Sequence, residues 1–168
     1  MKPNLHRAQQ GVFLLEALIG IIIFSIGVLT MVALQAKSIE IQSDTQYRVE
    51  AANLADRILG EIALSVDRTG ASQTAQTANI QASLANFVHR PTTIGTCNFS
   101  GTDSTDPNVL AWVDDINNAT TTRLPGSTPS MQQILVDTGT FNRVTITICW
   151  QMSADAVPRR HTLVSYIN

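Results

Sequence analysis

The 168-residue sequence lacks the short motifs that carry most enzyme chemistry. It has no Gly-x-Ser-x-Gly, no phosphate-binding P-loop, no His-Glu-x-x-His and no Cys-x-x-Cys. Asp114 and Asp115 are adjacent, so on a helix they point in different directions and make a poor acid–base pair. His89 and His161 each stand alone. We therefore expect a protein that is not an enzyme and that binds no metal and no cofactor.

Charged side chains are also scarce, at 14% of the chain against 44% apolar residues. A nucleic-acid surface needs clustered Lys and Arg, and the chain has little of this kind. Its one such stretch is Arg159-Arg160-His161. That stretch would contact DNA or another anionic partner, or it would keep a strand edge from unwanted pairing. Nucleic acid therefore stays open as a partner without being expected.

A long stretch without any charge stands near the start of the chain. The twenty residues from Ala17 to Ala36 would span about 30 Å as a helix, which is the hydrocarbon thickness of a bilayer. Lys2, His6 and Arg7 stand before Gly11 with no acidic residue among residues 1–11, which predicts a cytoplasmic N-terminus. The segment therefore predicts a single membrane-spanning helix in contact with the lipid bilayer.

Glu16 is the one charged residue at the start of this apolar run. A carboxylate inside a membrane costs a few kcal/mol, so it tends to have a partner and a function. Alternatively, Glu16 lies at the headgroup level, where a charge costs little. Gly11 precedes the apolar core, whereas a secretory signal carries its small cleavage-site residues after the core. Cleavage at Gly11 would leave the helix on the mature protein.

The residues from Gly11 to Glu16, Gly-Val-Phe-Leu-Leu-Glu, with the basic leader and the intact apolar run, resemble the type IV prepilin signal. The resemblance implies that a prepilin peptidase cuts after Gly11 and N-methylates Val12, the new N-terminus. It also implies that Glu16 pairs with the α-amino group of a neighbouring subunit. The family usually has Phe at the first mature position, where this chain has Val12 followed by Phe13. Many major pilins have proline where this chain has Ala33, which favours a minor pilin.

The helix is expected to continue without proline to about Val66. Apolar residues recur there at steps of three and four, as on one face of an amphipathic helix. In the apolar run, Ala17, Gly20 and Gly27 also share a face, either for close helix packing or because glycine is common in membrane helices. We expect a leader at 1–11, a membrane half of the helix at 12–36, a periplasmic half at 37–66 and a head at 67–168.

The head is expected to combine helices with a small antiparallel sheet, which makes the fold class α+β. We predict a polar loop at 67–79, a short helix at 80–90, a helix capped by Asp106 with Pro107 in its first turn, and a turn at Leu124-Pro-Gly126. Trp112 and Trp150 are expected in the core. The predicted strands are 133–137, 143–151 and 161–167, with a turn at 138–140 between the first two.

Cys97 and Cys149 are the only cysteines, and both follow the apolar run. A single span places them in the oxidising space outside the cytoplasm, where they most simply form one disulfide. The bridge would close a loop of about 53 residues and contribute roughly 4 kcal/mol in the chain-entropy treatment. Two free buried thiols are the alternative.

Most of the chain is also similar to a narrower group, the PilV-type minor pilins or type IV pilus modification proteins. The similar residues are Ser25-Ile-Gly-Val-Leu29, Ala33-Leu-Gln35, Arg48, Ala52, Leu54-Ala-Asp-Arg57, Cys97, Trp112, Leu124-Pro-Gly126 and the strand from Val144 to Trp150.

The resemblance implies a minor pilin that takes part in pilus assembly or priming, and so in adhesion or twitching motility. Its implied partners are other minor and major pilins, the prepilin peptidase and the inner-membrane assembly platform. It implies an inner-membrane protein with a periplasmic head that is incorporated into a fibre. Alternatives are a minor pseudopilin of a type II secretion system, a pilin whose head binds DNA or a surface, and an ordinary membrane-anchored periplasmic enzyme.

Overall fold

The structure is a computed structural model that describes residues 9–118 and 124–168, with side chains from residue 12. Its first element is helix α1, Gln9–Ser65, which confirms the helix predicted from Val12 to about Val66. Most of the predicted leader, residues 1–8, lies outside the described residues. The chain forms two compact units, residues 1–45 and 46–168, and α1 contributes residues to both.

The first unit exposes apolar surface. Every side chain from residue 12 to residue 42 is exposed, including Phe24 at 72% and Leu29 at 68%. The Ser25 hydroxyl donates to the carbonyl of Ile21 at 2.7 Å, and the Thr30 hydroxyl donates to that of Ile26 at 2.8 Å. Because these hydroxyls are satisfied within the helix, they are compatible with an apolar surrounding.

The second unit is built around the C-terminal part of α1. Leu54, Ala55, Ile58 and Ile62 recur at helical spacing and are all buried, with Ile58 and Ile62 fully so. They belong to the same apolar core as Trp112 and the inner face of the sheet. Burial of each large aliphatic side chain contributes about 1.5–3 kcal/mol, so this stripe fixes α1 in the head.

Helix α2, Gln73–Ala85, corrects the prediction of a loop at 67–79 and a helix at 80–90. The Ser72 hydroxyl accepts a hydrogen bond from the backbone N–H of Ala75 and caps the helix. The residues of α2 before Ile80 are exposed and include few apolar side chains. The apolar periodicity that predicts a helix is therefore missing from this part of α2. The helix ends early because His89 forms a β-bridge with Ile134.

Helix α3, Pro107–Asn117, begins where the sequence predicts. The Asp106 carboxylate accepts hydrogen bonds from the backbone N–H groups of Asn108 and Val109. The Trp112 indole N–H donates to the carbonyl of Leu54 at 3.0 Å. Trp112 and Trp150 are both buried, as expected. The indole bond joins α3 to α1 within the core.

The last three strands form an antiparallel sheet in the order β3-β4-β5, which confirms the small antiparallel sheet. Ile146 pairs with Ile134 on one side and with Leu163 on the other, so the inward-facing positions coincide across the sheet. A short 3₁₀ turn, Pro129–Met131, leads into it. The strands are β3 Gln132–Asp137, β4 Arg143–Trp150 and β5 Arg159–Tyr166.

One feature of the head was not predicted from the sequence, and one turn was predicted too short. A short hairpin with two residues in each strand, β1 Thr92–Thr93 and β2 Phe99–Ser100, forms where only a loop was expected around Cys97. The turn between β3 and β4 extends to residue 142, because Phe141 and Asn142 take left-handed backbone conformations. Such conformations in residues other than glycine are not visible in a hydrophobic pattern.

Candidate functional site

The structure places Gly11, Val12 and Glu16 on consecutive turns at the start of α1. Val12 is 66% exposed, and Phe13 beside it is 72% exposed. Glu16 is exposed as well, and it has no hydrogen-bond or ion-pair partner among the described residues. The three residues that the resemblance singles out therefore lie within a single segment of helix, and Val12 and Glu16 are accessible.

The surface around Glu16 is apolar. The helix from Val12 onwards is long and apolar enough to cross a membrane, with a mean hydropathy of 2.7 in its most apolar stretch. In the part of the chain that the structure describes, no residue of that stretch is buried. From Val12 to Ala36, Glu16 is the only charged residue. A carboxylate in such surroundings is stabilised by a nearby cation. For Glu16 that cation would come from outside the described residues.

Ala17, Gly20 and Gly27 leave open space on α1. A methyl group added at Gly20 or Gly27 would meet no atom within 4 Å. No contact among the described residues requires glycine at these two positions, since both are helical and uncrowded. Their small surfaces are available to another helix.

The Cys97–Cys149 disulfide is present, which confirms the pairing and excludes the alternative of two free thiols. The two Cα atoms are 5.8 Å apart. Cys149 lies in β4, whereas Cys97 lies in the turn between β1 and β2. Phe99 and Met131 pack around the bridge and form a second, smaller core. The bridge therefore holds the hairpin against the outer face of the sheet.

His89 lies in a buried polar network that its isolation in the sequence concealed. Only 2% of the residue is exposed, and its Nδ1 accepts a hydrogen bond from the backbone N–H of Ser104 at 3.2 Å. Its Nε2 has no partner among the described residues. Burial lowers the pKa of His89, Arg90 lowers it further, and the Asp103 carboxylate opposes both. No sequence signal placed Ser104 beside this ring.

The basic stretch in β5 is partly neutralised. The Arg159 guanidinium forms two hydrogen bonds to Asp155, each at 2.7 Å, in a fork-like geometry. Arg160 is exposed and His161 is half-buried. The Asp155 pairing reduces the positive charge that this stretch presents, so it supports DNA contact less than the sequence alone did.

The acidic pair in α3 serves two different contacts. Asp115 forms an ion pair with Arg57 of α1 at 2.6 Å, and Asp114 accepts a hydrogen bond from Asn118 at 3.4 Å. Within residues 9–118 and 124–168, no group of three or more His, Cys, Asp and Glu side chains is arranged to hold a metal ion.

No protein-family model, no curated protein and no solved structure matches the chain significantly. The resemblance to type IV prepilins therefore rests on the residues of this chain.

Proposed function

We propose that the chain is a minor type IV pilin that takes part in pilus assembly or priming. It is cut after Gly11, methylated at Val12, and held in the inner membrane by α1 with its disulfide-bonded head in the periplasm. The observation that carries this proposal is the accessible, unpartnered Glu16, the fifth residue after the Gly11–Val12 bond, in an exposed apolar helix.

Electrostatics supports a role for Glu16 between subunits. An ionised carboxylate costs about 3 kcal/mol at the centre of a membrane helix and less towards its ends, so an isolated Glu16 near the start of the apolar run would weaken the anchor by up to that amount. The methylated amine of Val12 in a neighbouring subunit keeps its positive charge and would neutralise Glu16. The open surfaces of Gly20 and Gly27 would let the two helices approach closely.

The first test is the intact mass of the full chain extracted from native membranes. We expect a chain that begins at Val12 and carries one added methyl group. The loss of residues 1–11 removes Lys2 and Arg7, so the mature chain has nine basic and thirteen acidic residues and a net charge of −4. Gly11→Val should block the cut, whereas Gly20→Ala in the same helix should not affect it. A wild-type chain that still begins at Met1 would refute the proposal.

Deletion of the protein separates the pilus from a type II secretion system, which would use the same helix and peptidase. We expect surface fibres to be lost while secreted proteins are exported normally. Loss of secretion with intact fibres would instead identify a pseudopilin. DNA capture predicts salt-dependent binding that Arg159→Ala with Arg160→Ala abolishes.

A further inference from the structure

The head contains a cleft between α2 and the turn that joins β3 to β4. We propose that this amide cleft, lined by residues of 73–81 and 138–142 and by Asn168, binds a neutral saccharide. Its volume is about 520 Å³, within the range of small-molecule sites. All of its lining residues belong to the head, so the inference does not depend on the proposed pilin assignment.

The lining is polar but carries no charged side chain. Five of its residues have carboxamide side chains and two have hydroxyls. A carboxamide presents a donor and an acceptor side by side, and a hydroxyl is both donor and acceptor. The carboxamide residues are Gln73, Gln76, Gln81, Asn142 and Asn168, and the hydroxyl residues are Thr77 and Thr138.

Part of this lining is held in place and part is free for a ligand. The Asn142 amide donates to the carbonyl of Ile167 at 3.1 Å and accepts from the Gln81 amide at 3.3 Å. Asn142 is only 7% exposed, so these bonds fix the floor of the cleft. The side chains of Gln73, Thr138 and Asn168 have no hydrogen-bond partner among the described residues. Their polar groups are available at the rim.

An aromatic ring stands at the edge of the amide cleft. Phe141 lines the cleft, yet 80% of the residue is exposed to solvent. Its backbone φ of 51° is in the left-handed region, which a bulky residue rarely adopts, and such strain concentrates at binding sites. Because the face of an aromatic ring carries negative potential, the polarised C–H groups of a sugar ring pack on it.

These features together favour a saccharide over other ligand classes. Neighbouring hydroxyls of a sugar ring both donate and accept, as carboxamides and threonines do. The uncharged lining offers no counter-charge to a phosphate, a nucleic acid or a sulfated glycan. An extended peptide would need the main-chain groups of a strand edge, whereas this cleft is formed by side chains of a helix and a turn.

The test uses the full chain in lipid nanodiscs on an array of neutral oligosaccharides, with sialylated and sulfated oligosaccharides and an extended neutral peptide as further probes. We expect binding to at least one neutral oligosaccharide, with little dependence on salt. Phe141→Ala should weaken that binding about tenfold because the stacking face is lost. Gln73→Met, which keeps the shape but removes the amide, should weaken it about threefold to tenfold.

Ile94→Ala is the matched control, because Ile94 is exposed in the head but does not line the cleft. Its binding should equal that of the wild type. The Gln73 variant should fold normally, since that side chain is exposed and makes no hydrogen bond with the described residues. The proposal is overturned if no neutral oligosaccharide binds, if only the acidic ones or the peptide bind, or if neither substitution weakens binding.

Discussion

Among single residues, His89 combines near-complete burial with a ring nitrogen that accepts a backbone hydrogen bond. The backbone N–H of Ser104 donates to Nδ1. Protonation of Nδ1 would remove this acceptor and bring two N–H groups into repulsive contact. Since burial lowers the pKa of His89 in the folded state, the unfolded chain takes up the proton more readily. The head is therefore expected to lose stability in acid.

The direction of the pH dependence follows from the pKa of His89 in the folded and unfolded states. The free energy of unfolding should be unaffected by His89 above about pH 6.5, the usual pKa of an unfolded histidine. Below that value it should fall by at most about 1.4 kcal/mol per pH unit until the folded-state pKa is reached. Urea unfolding of the full chain in detergent between pH 7.5 and 5 measures this.

His89→Asn, which places a carbonyl oxygen near the Nδ1 position, should flatten the pH dependence. His161→Asn is the control, because His161 is only half-buried. An equal pH dependence in the His89 variant and the wild type would contradict the prediction.

Gly126 is required by the backbone of the turn before the 3₁₀ segment. Its φ is 61°, and a Cβ built on it would overlap the carbonyl oxygen of Gln151. That contact is close because the N–H of Gln151 donates to the carbonyl of Pro125 at 2.9 Å. Gly126→Ala should therefore lower the free energy of unfolding by at least about 2 kcal/mol.

Gly60→Ala provides the matched control for thermal and urea unfolding. Gly60 lies inside α1, where an added methyl meets no atom within 4 Å. Alanine there should raise the stability by about 0.5–1 kcal/mol because it favours the helix. Equal effects of the two substitutions would mean that the turn relaxes around a side chain at position 126.

At the scale of elements, the β1–β2 hairpin is too short to be stable alone and depends on its disulfide. Replacing Cys97 and Cys149 by alanine should destabilise the head by about 4 kcal/mol, less any strain that the bridge holds. Thermal melting with and without reductant measures this effect. Reductant should lower the melting temperature of the wild type and leave that of the double variant unchanged, and no change in the wild type would refute it.

The elements also differ in how well the sequence predicted them. α3 and the three long strands have strong local signals, namely the Asp106-Pro107 cap and the alternation of Val144, Ile146 and Ile148. The start of α2 was misplaced because its first turn carries no large apolar side chain and relies on the Ser72 cap. Its end was misplaced because a long-range bridge between His89 and Ile134 competes with the helix.

At the scale of the whole molecule, the proposed function predicts that Glu16 is needed for assembly but not for membrane anchoring. Glu16→Gln keeps the shape of the side chain and removes its charge. We expect normal cleavage and methylation, because the cut lies five residues before it, but reduced incorporation into fibres, because the neighbouring amine loses its counter-charge. Immunoblots of sheared fibres and of membranes measure the two steps separately.

Glu61→Gln is the control for this experiment, since Glu61 is a carboxylate of α1 that lies in the head and outside the apolar run. It should be incorporated as well as the wild type. Normal incorporation of the Glu16 variant would remove Glu16 from the proposed assembly site.

The sequence by itself determined the elements whose signals are local or compositional. These are the uninterrupted α1, its apolar run with Glu16, the cap of α3 and the strands of the sheet. Two cysteines in one chain left only one intramolecular pairing. For the helices and strands the physical cause, a helix period, a strand period or a capping side chain, acts between residues close in sequence.

Only the tertiary structure decided what depends on residues that are distant in sequence. It placed Ser104 against the His89 ring, Asp115 against the Arg57 guanidinium and α2 beside the turn at Phe141. These contacts join segments whose separate patterns carry no record of each other, because side-chain burial and hydrogen bonding are settled only when the core closes. The amide cleft belongs to this class, since none of its polar residues is unusual until the fold brings them together.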